Sequence, residues 1–481
     1  MMNSYVFSVI DLFLHSMMRR FTLFILSFVI LLIAISSCRK DTILTDGSAQ
    51  LAFTQDTILF DTVFTTIGSV TKHFKILNEH NQPINISAVD LASGTNSNYR
   101  INIDGNPGVS FNNIEIPAND SLFVFVEATI DPTGINTPLI VEDSIVFLTN
   151  GNEQKVWLHA WGQDAYFHNR EQIAVSTSWS ADKPHVIYGY VFVDSAQTLT
   201  IQSGVTVYSH NNAILYINKA SLQADGTLGN PITFRGDRLA PFLLAEPDSV
   251  SGQWRGIWFN EALNSTITHT EIKNAIVGIQ VDTLQAGEFV NLNKVKVNNS
   301  LYASLIGQGN IIARNCLFGN AGNYSGIISY GGDQSYTHCT FGNYWTESDR
   351  TTTLFALTDY FTFGGAIYYR PFIKADFINC IFYGPDANDN EITLDTLDRN
   401  LSGTAPEFHF YNCLLKTNLS TANSDYYSNC VTNSNPVFTN PAIWDFHIGS
   451  GGAENFGSFN LTDDIENITR LDPPDVGCYE R

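Results

Sequence analysis

Four cysteines recur in one short setting. Ala313–Asn320 reads ARNCLFGN, Thr337–Asn343 reads THCTFGN, Ile378–Gly384 reads INCIFYG and Tyr411–Lys416 reads YNCLLK. A motif that returns along a chain constrains the fold strongly, because each copy is a unit that cannot bury its apolar face alone. Setting these runs beside HTEIKN (His269–Asn274) and KVKVNN (Lys294–Asn299) aligns Ile272, Val297, Phe318, Phe341, Phe382 and Leu415. The intervals are 25, 21, 23, 41 and 33 residues. The first three suit one solenoid coil. The last two suit coils carrying inserted loops, which the polar text around residues 344–400 supplies.

Two positions before each anchor stand Thr270, Val295, Cys316, Cys339, Cys380 and Cys413. Stacked coils would set these six above one another, about 4.8 Å apart. Thr270 and Val295 form neither thiolate–metal bonds nor disulfides. The six share a small side chain suited to a core, and free Cys is among the most buried residue types. The reading is a core ladder. Seven cysteines in 481 residues are too few for a disulfide scaffold. A Cys430–Cys478 bridge near the C terminus stays open.

The text before these repeats has the same rhythm. Thr198–Ile201, Val205–Tyr208, Ile214–Ile217, Ser221–Ala224 and Ile232–Phe234 are apolar-alternating runs of three to five residues, each closed by Gly, Asn or Asp. Strands of a sandwich are usually longer, about 5–6 residues. Residues 175–481 thus resemble the right-handed parallel β-helix of the pectate-lyase-like superfamily. GTLGNPITFRGDR (Gly226–Arg238), WRGIWF (Trp254–Phe259) and the ending DPPDVGCYER are similar to β-helix lipoproteins of Bacteroidota. About twelve coils are expected, making a rod of roughly 55–60 Å.

Residues 50–165 differ. VTKHFKILN, INISAVDL, SLFVFVEATI, DSIVFLTN and QKVWLHAWG are longer alternating runs separated by turn text such as Gly105-Asn106-Pro107-Gly108. Seven or so strands in this length predict an Ig-like β-sandwich, and the stretch resembles Ig-like modules that act as spacers or protein-binding units. His159 and Trp161 are read as packed residues at a strand end. The expected fold class is therefore all-β, an Ig-like sandwich followed by a right-handed parallel β-helix.

The N terminus carries an address. Arg19-Arg20 precede fifteen mostly apolar residues, Phe21–Ile35, and then Ser36-Ser37-Cys38. That is the layout of a secretory leader, and the run is short of the ~20 residues a membrane span needs. ISSC resembles the lipobox of bacterial lipoproteins, which implies removal of residues 1–37 and acylation of Cys38. Residues 1–16 fit no leader and suggest a start at Met17 or Met18; residues 38–49 would be a tether. Three acyl chains exceed the two signals needed for stable anchoring, so the outer membrane, with a cell-surface location left open, is the expected place. A net charge of −22 argues against nucleic acid. A polysaccharide or an envelope protein is the partner expected besides the membrane.

Chemistry is sparse. The carboxylate clusters of β-helix glycoside hydrolases are missing; SYGGDQ offers only Asp333, read as a turn residue. Lyase chemistry needs an Arg or Lys base, for which YYRPFIK offers Arg370 and Lys374 as the weak candidates. DANDNE places Asp386, Asp389 and Glu391 together, an oxygen-rich stretch that admits Ca²⁺ but reads equally as a polar loop. No other cofactor or metal is implied. Trp254, Trp258, Trp345, Tyr368 and Tyr369 are the candidates for stacking on sugar rings. The principal expectation is a non-catalytic surface lipoprotein binding glycan or protein. A polysaccharide lyase or hydrolase with a non-standard site, and a structural envelope component, are the alternatives.

Overall fold

The computed structural model describes Thr22 and residues 42–64, 69, 71–130, 139–238, 247–385, 390–396 and 407–481. Cys38, Asp386 and Asp389 lie outside the described residues. Two compact units are present: residues 1–131 with 140–161, and residues 132–139 with 162–481.

The first unit pairs two five-stranded sheets. One runs Ala52–Phe53, Lys72–Leu77, Ser121–Ala128, Tyr99–Ile103, Asn106–Gly108; the other runs Thr57–Phe64, Asn152–Gln163, Leu139–Thr149, Ile84–Leu91, Ser110–Ile116. Lys72–Leu77 is antiparallel to Ser121–Ala128, as Ile84–Leu91 is to Leu139–Thr149. Period-two alternation turns Val124, Val126 and Ala128 inward and leaves Phe123 and Phe125 exposed. Phe74, Ile76 and Val126 of one sheet share a core with Phe60, Ile86 and Phe147 of the other, which makes the unit a sandwich.

The second unit is a parallel β-helix with three faces. Among the described residues the first face stacks ten strands, from Thr177–Trp179 to Tyr427–Ser428, one per coil. The second carries the aligned repeats, and the third carries Ile214–Asn218, Gly256–Asn260 and their successors. The sequence alignment is reproduced residue for residue: Ile272, Val297, Phe318, Phe341, Phe382 and Leu415 are successive register partners. Thr270, Val295, Cys316, Cys339, Cys380 and Cys413 are all buried. The coil begins earlier than residue 175, because Tyr166–Ile173 already pairs in parallel with His185–Val193.

The Asn-Cys pairs have a backbone cause. Asn315, His338, Asn379, Asn412 and Asn429 all have φ between 49° and 54°. Each forms the corner between first and second faces, where the chain needs one left-handed residue, and Asn enters that region more readily than most. The corner turns the next side chain inward, and that residue is the cysteine. Cys430 follows Asn429 and extends the ladder by one rung. It is half-buried, and like Cys478 it is a free thiol, so the two form no bridge. Their positions explain this: Cys430 belongs to the coil interior with Sγ 3.3 Å from the Phe410 carbonyl. Cys478 packs instead with Leu317 and Phe446.

The count of ten first-face strands falls below twelve because the chain stops coiling after Val431–Thr432. Residues 434–481 form a strap over the outer side of the second face. In NCLFGN the phenylalanine points in and Leu317 points out, yet Leu317 is fully buried among Phe446, Ile465 and Tyr479. Ile381 and Leu414 lie under Ile448, Ala453 and Val476 in the same way. The DPPDVGCYER ending is part of this cover: Cys478 N donates to Thr340 Oγ1 at 3.0 Å and Gly477 N to the Asn379 carbonyl at 2.8 Å.

Candidate functional site

The motif WRGIWF sorts its side chains between interior and surface. Gly256 has φ 114°, and a Cβ there would lie 1.6 Å from the Val277 carbonyl oxygen, so only glycine lets the chain pass. Ile257 and Phe259 then point in and Trp258 points out. Its neighbours on the preceding coils are Tyr216 and Phe192, register partners on the third face. Phe192 stacks on Tyr216 at 5.4 Å, and Tyr216 meets Trp258 edge-on at 5.2 Å. All three are half-buried, presenting ring surface to solvent. Asn218 and Asn260, joined by a 3.0 Å hydrogen bond, flank the column. Trp258 Nε1 donates to Asp282 at 2.7 Å, and Gln280 Nε2 donates to the same carboxylate at 2.9 Å. Aromatic faces beside amides and a carboxylate offer both the stacking and the hydrogen bonding that a sugar uses.

Phe192 and Tyr216 were missed as candidates. A signal was present: VFVD, LYIN and IWFN each place an aromatic between two inward aliphatic or aromatic residues and end on Asp or Asn.

The other aromatic candidates scatter. Trp254 is 0% exposed, stacked on Phe234 with Nε1 bonded to the Lys273 carbonyl, so it is a core residue and not a sugar platform. Trp345 borders a groove of about 620 Å³ at the corner between second and third faces, lined also by Arg350, Thr353, Pro385 and Asn390. Tyr368, 43% exposed, and the half-buried Tyr369 lie on a hairpin, Tyr360–Phe363 with Ala366–Tyr369. In the sandwich, Trp161 is not packed: it is 37% exposed and Trp157 is 48% exposed. Alternation on Asn152–Gln163 buries Val156, Leu158 and Ala160 and so turns Trp157, His159 and Trp161 outward.

The charged candidates are spent on structure. Arg370 Nε donates to the Tyr330 carbonyl at 2.6 Å, Nη1 to Thr283 Oγ1 at 2.8 Å and Nη2 to the Gln308 carbonyl, while the guanidinium lies over the Tyr330 ring. It ties the hairpin to three coils. Lys374 pairs with Asp333 at 3.5 Å, and Asp333 sits in the strand Gly332–Thr337 and not in a turn. Glu391 is fully buried. Its Oε1 meets Arg350 at 2.5 Å and its Oε2 accepts from Leu354 N at 2.9 Å, so this carboxylate is part of a buried ion pair that holds the groove wall. Among the described residues, no three of His, Cys, Asp and Glu gather as a metal cage, and no helix is long and apolar enough to cross a membrane.

The fold and this surface define an all-β protein with a parallel β-helix. No family model matches the chain, and no curated protein matches it. Among solved structures, a family 123 glycoside hydrolase from Clostridium perfringens is similar over 24% of this chain and 26% of that one, at 12% identity and a TM-score of 0.17. A similarity of that size carries neither fold nor function across.

Proposed function

We propose that the chain is an outer-membrane lipoprotein, anchored through Cys38, whose β-helix holds a glycan along the Phe192–Tyr216–Trp258 column without cleaving its glycosidic bonds. The observation that carries this reading is the column itself: three rings on consecutive coils, bordered by Asn218, Asn260 and Asp282. The leader's resemblance to a lipobox, and the tail's to β-helix lipoproteins of Bacteroidota, support the address. The sandwich serves as a spacer. Arg370 supports a binding role over a lyase role, because a guanidinium tied to Tyr330, Thr283 and Gln308 is not free to take a proton from a substrate.

The test has two arms. Affinity electrophoresis of the purified mature chain against a panel of neutral and acidic polysaccharides should find at least one retained partner. At ~0.5–1.5 kcal/mol per stacked ring, the double variant Y216A/W258A should bind that partner about five- to a hundredfold more weakly. Unchanged affinity in the double variant would remove the column from the reading. In cells, Cys38→Ala should move the protein from the membrane fraction to the soluble fraction, and retention in the membrane would refute the anchor.

A further inference from the structure

Three residues from three consecutive coils line up on the outer side of the first face, away from the aromatic column. Asp376 and His409 are register partners on adjacent strands, and Tyr411, two residues after His409, is the register partner of Ser428. His409 Nε2 lies 2.9 Å from Ser428 Oγ. The imidazole is held flat against the Tyr411 ring, centroids 3.7 Å apart at 15°, which fixes the direction in which Nε2 points. Alternation explains the grouping. Phe377 and Phe410 point into the coil, so Asp376, His409 and Tyr411 project outward together. All four polar residues are half-buried.

The order along the helix axis is carboxylate, imidazole, hydroxyl. Those are the orienting group, base and nucleophile of acyl-transfer sites, which are recognised by geometry and not by chain order. Asp376 makes no direct hydrogen bond to the ring. Burial raises its pKa, and the neighbouring Lys374 and His409 lower it in part. Catalytic hydrogen bonds are often long in unliganded sites and tighten on substrate. Tyr427–Ser428 is also the last strand of its sheet.

We propose that Ser428, His409 and Asp376 form a carboxylic-ester hydrolase site acting on small acyl groups carried by an extended polymer. The shallow, half-buried setting suits an ester that projects from a chain over one that must be enclosed. Ser428 Oγ adds to the ester carbonyl carbon as its proton passes to His409 Nε2. The adduct collapses, the carbon–oxygen bond to the alcohol breaks, and that proton leaves on the alcohol oxygen, giving acyl-Ser428. Water then adds to the acyl carbon, its proton taken by the same Nε2. Release of the carboxylic acid returns the proton to Ser428. Asp376 is a positioning residue. The inference stands apart from the glycan-binding reading, since it uses another face and another readout.

The experiment treats the purified mature chain with a fluorophosphonate probe and, separately, with p-nitrophenyl acetate. The expected result is a single adduct mapped to Ser428 by peptide mass spectrometry, with nitrophenolate release above the heat-denatured control. Ser428→Ala should abolish the adduct while keeping the wild-type thermal transition. His409→Ala should lower labelling at least a hundredfold. Asp376→Asn should lower kcat at least tenfold with KM unchanged, a split that a merely structural role would not produce. No adduct on the wild-type chain, or equal labelling of the Ser428→Ala chain, would overturn the proposal.

Discussion

Replacing Phe341 with alanine should destabilise the β-helix by about 3–5 kcal/mol, the range for deleting a fully buried aromatic side chain. Phe341 is fully buried and stacks between Phe318 at 5.0 Å and Phe382 at 4.8 Å. Phe355 meets it edge-on at 5.2 Å and Tyr336 at 5.7 Å. Each such pair adds ~0.5–1.5 kcal/mol beyond area burial, and alanine leaves a cavity where neighbouring coils have no freedom to collapse. Coils of a solenoid touch only their neighbours, so the damage should be local. Hydrogen exchange should show lost protection in Leu317–Gly319, Thr340–Gly342 and Ile381–Tyr383, with Thr198–Ile201 unchanged. Phe341→Leu should recover much of the loss. A cost under ~1 kcal/mol for the alanine variant would mean that the column is not the packed core of these coils.

Arg470→Met should release the C-terminal strap. The guanidinium is fully buried, 3.0 Å from Glu480 Oε2, and also donates to Asn315 Oδ1 at 2.9 Å and to the Gly477 carbonyl at 2.9 Å. Burial pulls the Arg470 pKa down and pushes the Glu480 pKa up, the signs of two ions held in a medium that resists charge. Removing one partner of a buried pair costs about 3–5 kcal/mol, because Glu480 then keeps its Leu471 and Asp475 amide donors but loses its counter-ion. The measurement is limited proteolysis with dye binding. Cleavage should concentrate between residues 434 and 481, and a hydrophobic dye should bind as Leu317, Ile381 and Leu414 become exposed. The double variant R470M/E480M should regain much of the loss, since apolar replacement of both partners is often neutral. A single variant as protease-resistant as the wild type would show that the pair does not hold the strap.

The inward register of the helix was readable because it is periodic. From His269 to Leu415 successive coils repeat the same demand: a left-handed corner, a small inward residue, a larger one two places on. Cys430 fits that pattern from its Asn429, although Thr432 stands where the phenylalanine would be and hides the match. The glycan-binding candidates were harder. Trp254 and Trp258 are four residues apart in one motif, and which of them faces solvent depends on the turn at Gly256, not on residue type. Glu391 looked like part of an oxygen-rich loop, yet its partner Arg350 is 41 residues away. Asp376, His409 and Ser428 carried no local motif at all, since each comes from a different coil.

The sequence alone was enough for the all-β class, the coil alignment and the interior cysteine ladder, because these follow from side-chain period and from backbone preference at each corner. Tertiary structure decided what covers the outward side. Leu317 stands at an outward position by alternation and is buried only because residues far along the chain return over it, as Asn315 meets the Asp463 carbonyl 148 residues later. It also decided which exposed residues meet. Alternation assigns a side chain to a face, but only stacking of coils with unequal loops sets which residues become neighbours on that face.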